Sequence, residues 1–438
     1  MRSYKLARRA CGLWFGLLCL VAAPAFGDLV EYVEAPDASF RWEYLGAQRV
    51  DDCTVHDLHL VSQTWQGIVW EHAMQVYVPD EVKYPETLLL DITGGRIGDR
   101  HDDDQTAFGV QLSRACGAVS ASVAQVPNQP LLGDRTEDDL IAHTFVEYLK
   151  TGDPTLPLLL PMTKSAVSAM DALQEFCATR LDRDVERFVT IGASKRGWTS
   201  WLTAAVDPRV VATIPLVIDT LNIPVQMEHQ LQAWGEYSEQ LEDYQRHGLL
   251  EDMDSPDRRA LWDIVDPITY RDRLTAPKLS IIGTNDRYFA LEAMNLYWDD
   301  LLAPKHVLYV PNSGHGVEDL ERALAGVVGY FRFVASGTAL PSPEWRFEST
   351  ADRVRLVVSP NGNATDGELW LAASESVDFR SAAWVSVPLS LTDSGFVGEA
   401  LLSRLRYIAV LGELRYPVDG MVLPLSTQVH VFPPLTDD

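Results

Sequence analysis

Two stretches of this 438-residue chain combine residue types that can move a proton and form a covalent bond. The first is Thr190-Ile191-Gly192-Ala193-Ser194-Lys195-Arg196-Gly197, set between a short apolar run (188–191) and a helical one (195–206). A serine at such a junction sits in a nucleophile elbow. The strained turn projects the hydroxyl, and glycines avoid Cβ clashes where strand and helix cross. The usual pattern is G-x-S-x-G; here Arg196 takes the second glycine's place and Gly197 follows.

A serine hydroxyl is a weak nucleophile until a base removes its proton. In this setting the partners come later in the chain, acid before histidine, from loops after successive strands. The strand predicted at 278–282 ends in Gly283-Thr284-Asn285-Asp286, and that at 306–310 in Pro311-Asn312-Ser313-Gly314-His315-Gly316. Ser194 is therefore the expected nucleophile and His315 the general base. Asp286 would hold the imidazole tautomer and stabilise the imidazolium. Taken singly, Asp286 reads as a turn or N-cap residue and His315 as a loop histidine; their order behind Ser194 is what argues for chemistry. Asp219, after the preceding strand, is the rival acid.

Acyl transfer also needs donors for the developing oxyanion. The backbone N–H of Lys195 is one candidate, and the loop Thr93-Gly94-Gly95 offers Gly94 and Gly95. Arg196 is expected to meet a substrate carboxylate or phosphate, with a structural ion pair as the alternative. Trp234 is expected to contact the substrate from above. No histidine or cysteine spacing suggests a metal, and no cofactor is implied.

The elements that must hold these groups follow from patterning. Residues 54–62 and 70–78 read as strands around Gln66-Gly67, and TLLLDI (87–92) as a strand buried on both faces. Further strands are expected at 118–126, 188–191, 213–218, 278–282 and 306–310. Helical spacing covers 106–116, 137–150, 164–181, 195–206 and 321–335. This alternation implies an α/β class with a mostly parallel sheet covered on both sides. Residues 219–273 break the pattern with a polar, aromatic, helical insertion, expected to form a lid over the strand ends. After Gly337, Pro341 and Pro343 mark a linker, and short strands over 338–438 suggest an immunoglobulin-like β-sandwich. The hydrolase domain would then span 28–337.

At the N-terminus, Arg2, Lys5, Arg8 and Arg9 precede an apolar run and Ala25-Phe26-Gly27, the layout of a cleaved secretory signal over 1–27. A secreted or periplasmic location without stable membrane insertion is expected. Cleavage removes four basic residues, taking the charge from 36 − 62 = −26 to 32 − 62 = −30. Such a surface repels nucleic acid. Cys53, Cys116 and Cys177 remain, enough for one disulfide of unspecified pairing and one thiol.

Several blocks together resemble one family. GASKRGWTSWLTAAVDPRV, QLQAWGEYSEQLEDY, IVDPITYRDRL, GTNDRYF and VPNSGHG are similar to the PhoPQ-activated pathogenicity-related proteins, from about residue 30 to the C-terminus. The resemblance implies an α/β-hydrolase domain with a helical insertion and a β-rich tail, and it supports Ser194, Asp286 and His315. The elbow alone also resembles that of glucuronoyl esterases, where a basic residue likewise follows the nucleophile. The expected activity is hydrolysis of a carboxylic ester or amide in a small molecule or peptide. The competing expectation is a secreted signalling or binding protein that keeps the fold without turnover.

Overall fold

The computed structural model describes residues 29–436, so the expected signal segment lies outside the described residues. After a short helix, Leu29–Glu34, come three long strands, β1 (Arg41–Val50), β2 (Cys53–Trp65) and β3 (Ile68–Pro79), an antiparallel meander. Gln66 and Gly67 join β2 to β3 with positive φ at both positions, the turn whose twist suits a hairpin. Six shorter strands follow: β4 (Thr87–Ile92), β5 (Ser120–Val123), β6 (Arg187–Ala193), β7 (Val210–Leu216), β8 (Lys278–Gly283) and β9 (Lys305–Val310). They lie parallel in the order β5-β4-β6-β7-β8-β9, with β3 antiparallel on the flank of β5.

Both faces of this sheet are dry. Within β4, Leu88, Leu90 and Ile92 enter one hydrophobic core and Leu89 the other. Val307 and Tyr309 of β9 likewise part from Leu308 and Val310. A period-2 backbone carrying an unbroken apolar run has this outcome. Helices Leu159–Phe176 and Lys195–Val206 cover the first face, and Asp103–Cys116 and Leu320–Ala335 the second. Asp102 and Gln105 close a capping box on Asp103–Cys116, and left-handed Gly117 ends it. Chain order and strand order are those of an α/β-hydrolase fold.

The insertion between β7 and β8 contributes helices Ile223–Trp234, Glu242–Arg246 and Pro256–Val265. Its neck is tied by Asp266, which accepts the N–H groups of Asn222, Ile223 and Ile268 at 2.7–3.1 Å.

Beyond Ala335 the chain is all β: β10 (Glu344–Ser349), β11 (Arg353–Ser359), β12 (Asp366–Ser374), β13 (Val385–Pro388), β14 (Ser390–Thr392), β15 (Gly395–Leu401), β16 (Tyr407–Val418), β17 (Met421–Ser426) and β18 (His430–Phe432). A four-stranded sheet, β10-β11-β15-β14, packs against β17-β16-β12-β13 to make a β-sandwich. Its second sheet is not self-contained. β17 pairs antiparallel with β9, so one sheet runs without interruption from the parallel core into the sandwich.

No disulfide forms. Cys53, Cys116 and Cys177 are free, and each sits in a different hydrophobic core. The expectation of one bridge is corrected: each thiol is a small packed hydrophobe. Burial pushes the Cys53 thiol up to about 11 and Cys177 to about 12, which disfavours the reactive thiolate.

Candidate active site

Ser194 is the one residue between β6 and the helix Lys195–Val206. Its φ of 57° and ψ of −124° lie outside the regions an ordinary residue occupies. The turn is held from both sides: Ser194 N–H donates to Leu216 O at 2.9 Å, and Trp198 N–H to Ser194 O at 3.0 Å. A Cβ on Gly192 would stand 2.5 Å from Arg196 O, and one on Gly197 would stand 2.5 Å from Ile218 Cγ2 and 2.9 Å from Gly192 O. The tight crossing therefore falls at position 197, which is why the second glycine is displaced and a long side chain is tolerated at 196.

Behind the serine, His315 and Asp286 complete a continuous hydrogen-bonded chain. His315 Nε2 lies 2.9 Å from Ser194 Oγ, and His315 Nδ1 lies 2.9 Å from Asp286 Oδ2. The Asp286 carboxyl is buried, and its other oxygen accepts Tyr288 N–H at 2.8 Å. The Tyr288 ring packs on the imidazole, with centroids 4.2 Å apart. The two loops touch at Gly283, where a Cβ would come within 2.4 Å of the Ser313 and Gly314 carbonyls. Asp219 is not part of this chain. It accepts the Tyr297 O–H at 2.5 Å, and burial raises its carboxyl to about 7.

The remaining expected groups divide. Lys195 is the first helical residue, so its N–H has no intrahelical acceptor. Its ammonium lies 2.9 Å from Asp138 Oδ2 and 3.6 Å from Glu137 Oε2. Arg196 is corrected to a structural role. Nη1 and Nη2 grip Glu137 at 2.7 and 2.8 Å, and Nε donates to Val126 O at 2.6 Å, leaving no face of the fork for a substrate anion. Burial works against ionising Glu137, yet the Arg196 hydrogen bonds and charge bring it down to about 2. Gly94 and Gly95 do not line the chamber beside Ser194; Gly94 faces the Arg196 guanidinium, 2.6 Å from where its Cβ would be. Trp234 is half-buried under Arg380, 4.1 Å from its ring centre, and also lies off the chamber, so its expected substrate contact is corrected.

That chamber has a volume of about 60 Å³, and Ser194 and His315 are among its lining residues. Phe145 and Trp198 come from the body, and Met227, Leu241, Leu250 and Trp262 from the insertion. Polar groups on its walls include Thr220, Lys195 and Asp138, which accepts Tyr244 O–H at 2.9 Å and Tyr288 O–H at 3.2 Å besides pairing with Lys195. Hollows of about 370 and 460 Å³ beside Asp103–Cys116 are larger, but neither contains Ser194 or His315. Sequence reasoning missed Asp138 and Tyr288. Tyr288 stands two residues after Asp286, where a side chain on the same loop is placed to pack on the histidine. Asp138 gave no signal beyond its place in a helix's first turn, where an acid suits the dipole. Among the described residues, no His, Cys, Asp and Glu group is arranged to hold a metal, and no helix is long and apolar enough to cross a membrane.

The sequence profile of the PhoPQ-activated pathogenicity-related proteins matches residues 29–380. Autocrine proliferation repressor protein A of Dictyostelium discoideum is 35% identical over 393 residues, covering 83% of this chain and 78% of that protein. Among solved structures, the acetyl xylan esterase from Paenibacillus sp. R4 is similar with a TM-score of 0.47 and 14% identity, over 68% of this chain and 90% of that one. The glucuronoyl esterase from Solibacter usitatus gives 0.41 and 13%, over 70% and 88%.

Proposed function

The chain belongs to the PhoPQ-activated pathogenicity-related protein family, and from that premise we propose that it is an exported serine hydrolase of carboxylic esters or amides with an apolar acyl group. The observation that carries the reading is the Asp286–His315–Ser194 chain, with both links at 2.9 Å, beneath an apolar roof. Ser194 Oγ attacks the carbonyl carbon while His315 Nε2 takes its proton, and Asp286 stabilises the imidazolium. The carbonyl oxygen gains the negative charge and meets Lys195 N–H. Collapse of the tetrahedral adduct expels the alcohol or amine, which takes the proton from His315 and leaves an acyl-Ser194 ester. Water, deprotonated by His315, then releases the acid and restores the serine.

The walls narrow the substrate. The chamber beside Ser194 is aromatic and aliphatic, and the nearby cations are occupied: Arg196 by Glu137, Lys195 by Asp138. An anionic acyl group would meet cations already paired with carboxylates, whereas an apolar one gains from burial. Export is proposed on the N-terminal signal pattern alone.

A second reading rests on one observation, the name of the Dictyostelium relative, autocrine proliferation repressor protein A: this chain would then be a signalling protein that keeps the fold without turnover. A panel of nitrophenyl esters and aminoacyl anilides separates the two. Hydrolysis of apolar acyl esters, lost on the order of 10⁶-fold in Ser194→Ala, supports the hydrolase. A wild-type protein inert across the panel supports the signalling reading.

A further inference from the structure

The sandwich carries no catalytic group, yet one of its loops reaches the two loops that bear Asp286 and His315. Segment 379–384, between β12 and β13, is plugged into the hydrolase domain by Phe379 and Trp384, both buried in the core that also holds Met294 and Tyr297. From that anchorage its backbone meets the two loops that bear the acid and the base. Asn285, the neighbour of Asp286, points Nδ2 at three carbonyls: Ala382 at 2.8 Å, Phe379 at 3.3 Å and Arg380 at 3.4 Å. Asn312, three residues before His315, makes a two-point contact with Trp384, donating to its carbonyl at 3.0 Å and accepting its N–H at 2.7 Å. The same segment also reaches the lid, because Arg380 stacks on Trp234 and pairs with Glu239 at 3.4 Å.

We propose that the C-terminal domain is a splint for the triad, in which Asn285 and Asn312 are positioning residues that fix Asp286 and His315 against the 379–384 backbone. The inference rests on the hydrolase reading above. Physical necessity supports it: the Asp286 and Ser194 contacts to His315 must both stay within hydrogen-bond reach for proton transfer, and they lie on separate loops. Loops are the mobile parts of a fold, and a misplacement of about 1 Å costs on the order of 100-fold in rate. Asparagine side chains capping backbone groups fasten the loops without crossing the chamber.

The test compares ester turnover by full-length Asn285→Ala, Asn312→Gly and the double variant. Asn312 has a φ of 59° and is exposed, so glycine removes the side-chain contacts without adding backbone strain. Each single variant should lose about tenfold in kcat, the double more, with KM unchanged. Arg415→Ala, which breaks ion pairs to Asp366 and Glu368 inside the sandwich, should lower the melting temperature and spare kcat. Wild-type kcat in both asparagine variants would overturn the splint, as would an equal kcat loss in Arg415→Ala. Hydrogen exchange on the unmutated protein gives an independent readout. Residues 284–288, 312–316 and 379–384 should open as one unit, and much faster exchange of 379–384 would overturn the proposal. An inert wild type would instead remove the hydrolase reading itself.

Discussion

Asp219 and Asp286 both follow strands of the parallel sheet, and only Asp286 reaches an imidazole. Burial raises the Asp219 carboxyl to about 7, and its partner is the Tyr297 hydroxyl rather than a histidine. Asp286→Asn is expected to lower kcat on the order of 10⁴-fold by losing the correct tautomer, while Asp219→Asn keeps most of the activity in the same ester assay. Asp219 also has a stability signature. Its folded carboxyl titrates near 7 and the unfolded one near 3.8, so the folded state holds the extra proton between those values. Its contribution is therefore complete below about pH 4 and lost as pH rises through about 7. Melting temperatures at pH 5 and 7.5 should draw closer together in Asp219→Asn than in the wild type. Glu137 acts in the opposite sense. Held down at about 2 by Arg196, it contributes above its usual range near 4.5 and loses that contribution as pH falls toward 2.

Elements set which of these residues meet. The strand–turn–helix around Ser194 was legible in the sequence because a buried run, a glycine and a helical run occur in that order. The loops bearing Asp286 and His315 were legible because each ends an apolar run. Arg196 and Trp234 were not. A basic side chain beside a nucleophile has the same sequence signature whether it faces substrate or a buried carboxylate, and only the packing of Glu137 beneath it decides. The tail was expected only as short strands over 338–438, and Met421–Ser426 is one of them despite carrying Pro424. A proline is excluded from strand interiors only where its N–H is needed. At this scale the elbow itself is testable. Gly192→Ala forces a methyl onto the Arg196 carbonyl, 2.5 Å away. It should cost about 1–3 kcal/mol in denaturant unfolding and displace Ser194, reducing turnover with it.

As a whole molecule, the chain is one continuous sheet with a sandwich grown from its edge. Without the sandwich, β9 becomes an open edge and the helix Leu320–Ala335 loses Leu423, whose Cβ lies 2.8 Å from where one on Gly329 would be. Exposed edges and apolar faces invite association. A chain ending at residue 337 is accordingly expected to elute as aggregate in size-exclusion chromatography and to show no turnover, whereas an autonomous hydrolase domain would elute as an active monomer. The central claim, that Ser194 is an activated nucleophile, is tested most directly by intact-mass spectrometry after exposure to a fluorophosphonate. The account predicts one phosphonate adduct per chain, mapped to Ser194, absent in Ser194→Ala and strongly slowed in Asp286→Asn. A folded wild-type protein that gains no mass, or gains it on another residue, would contradict it.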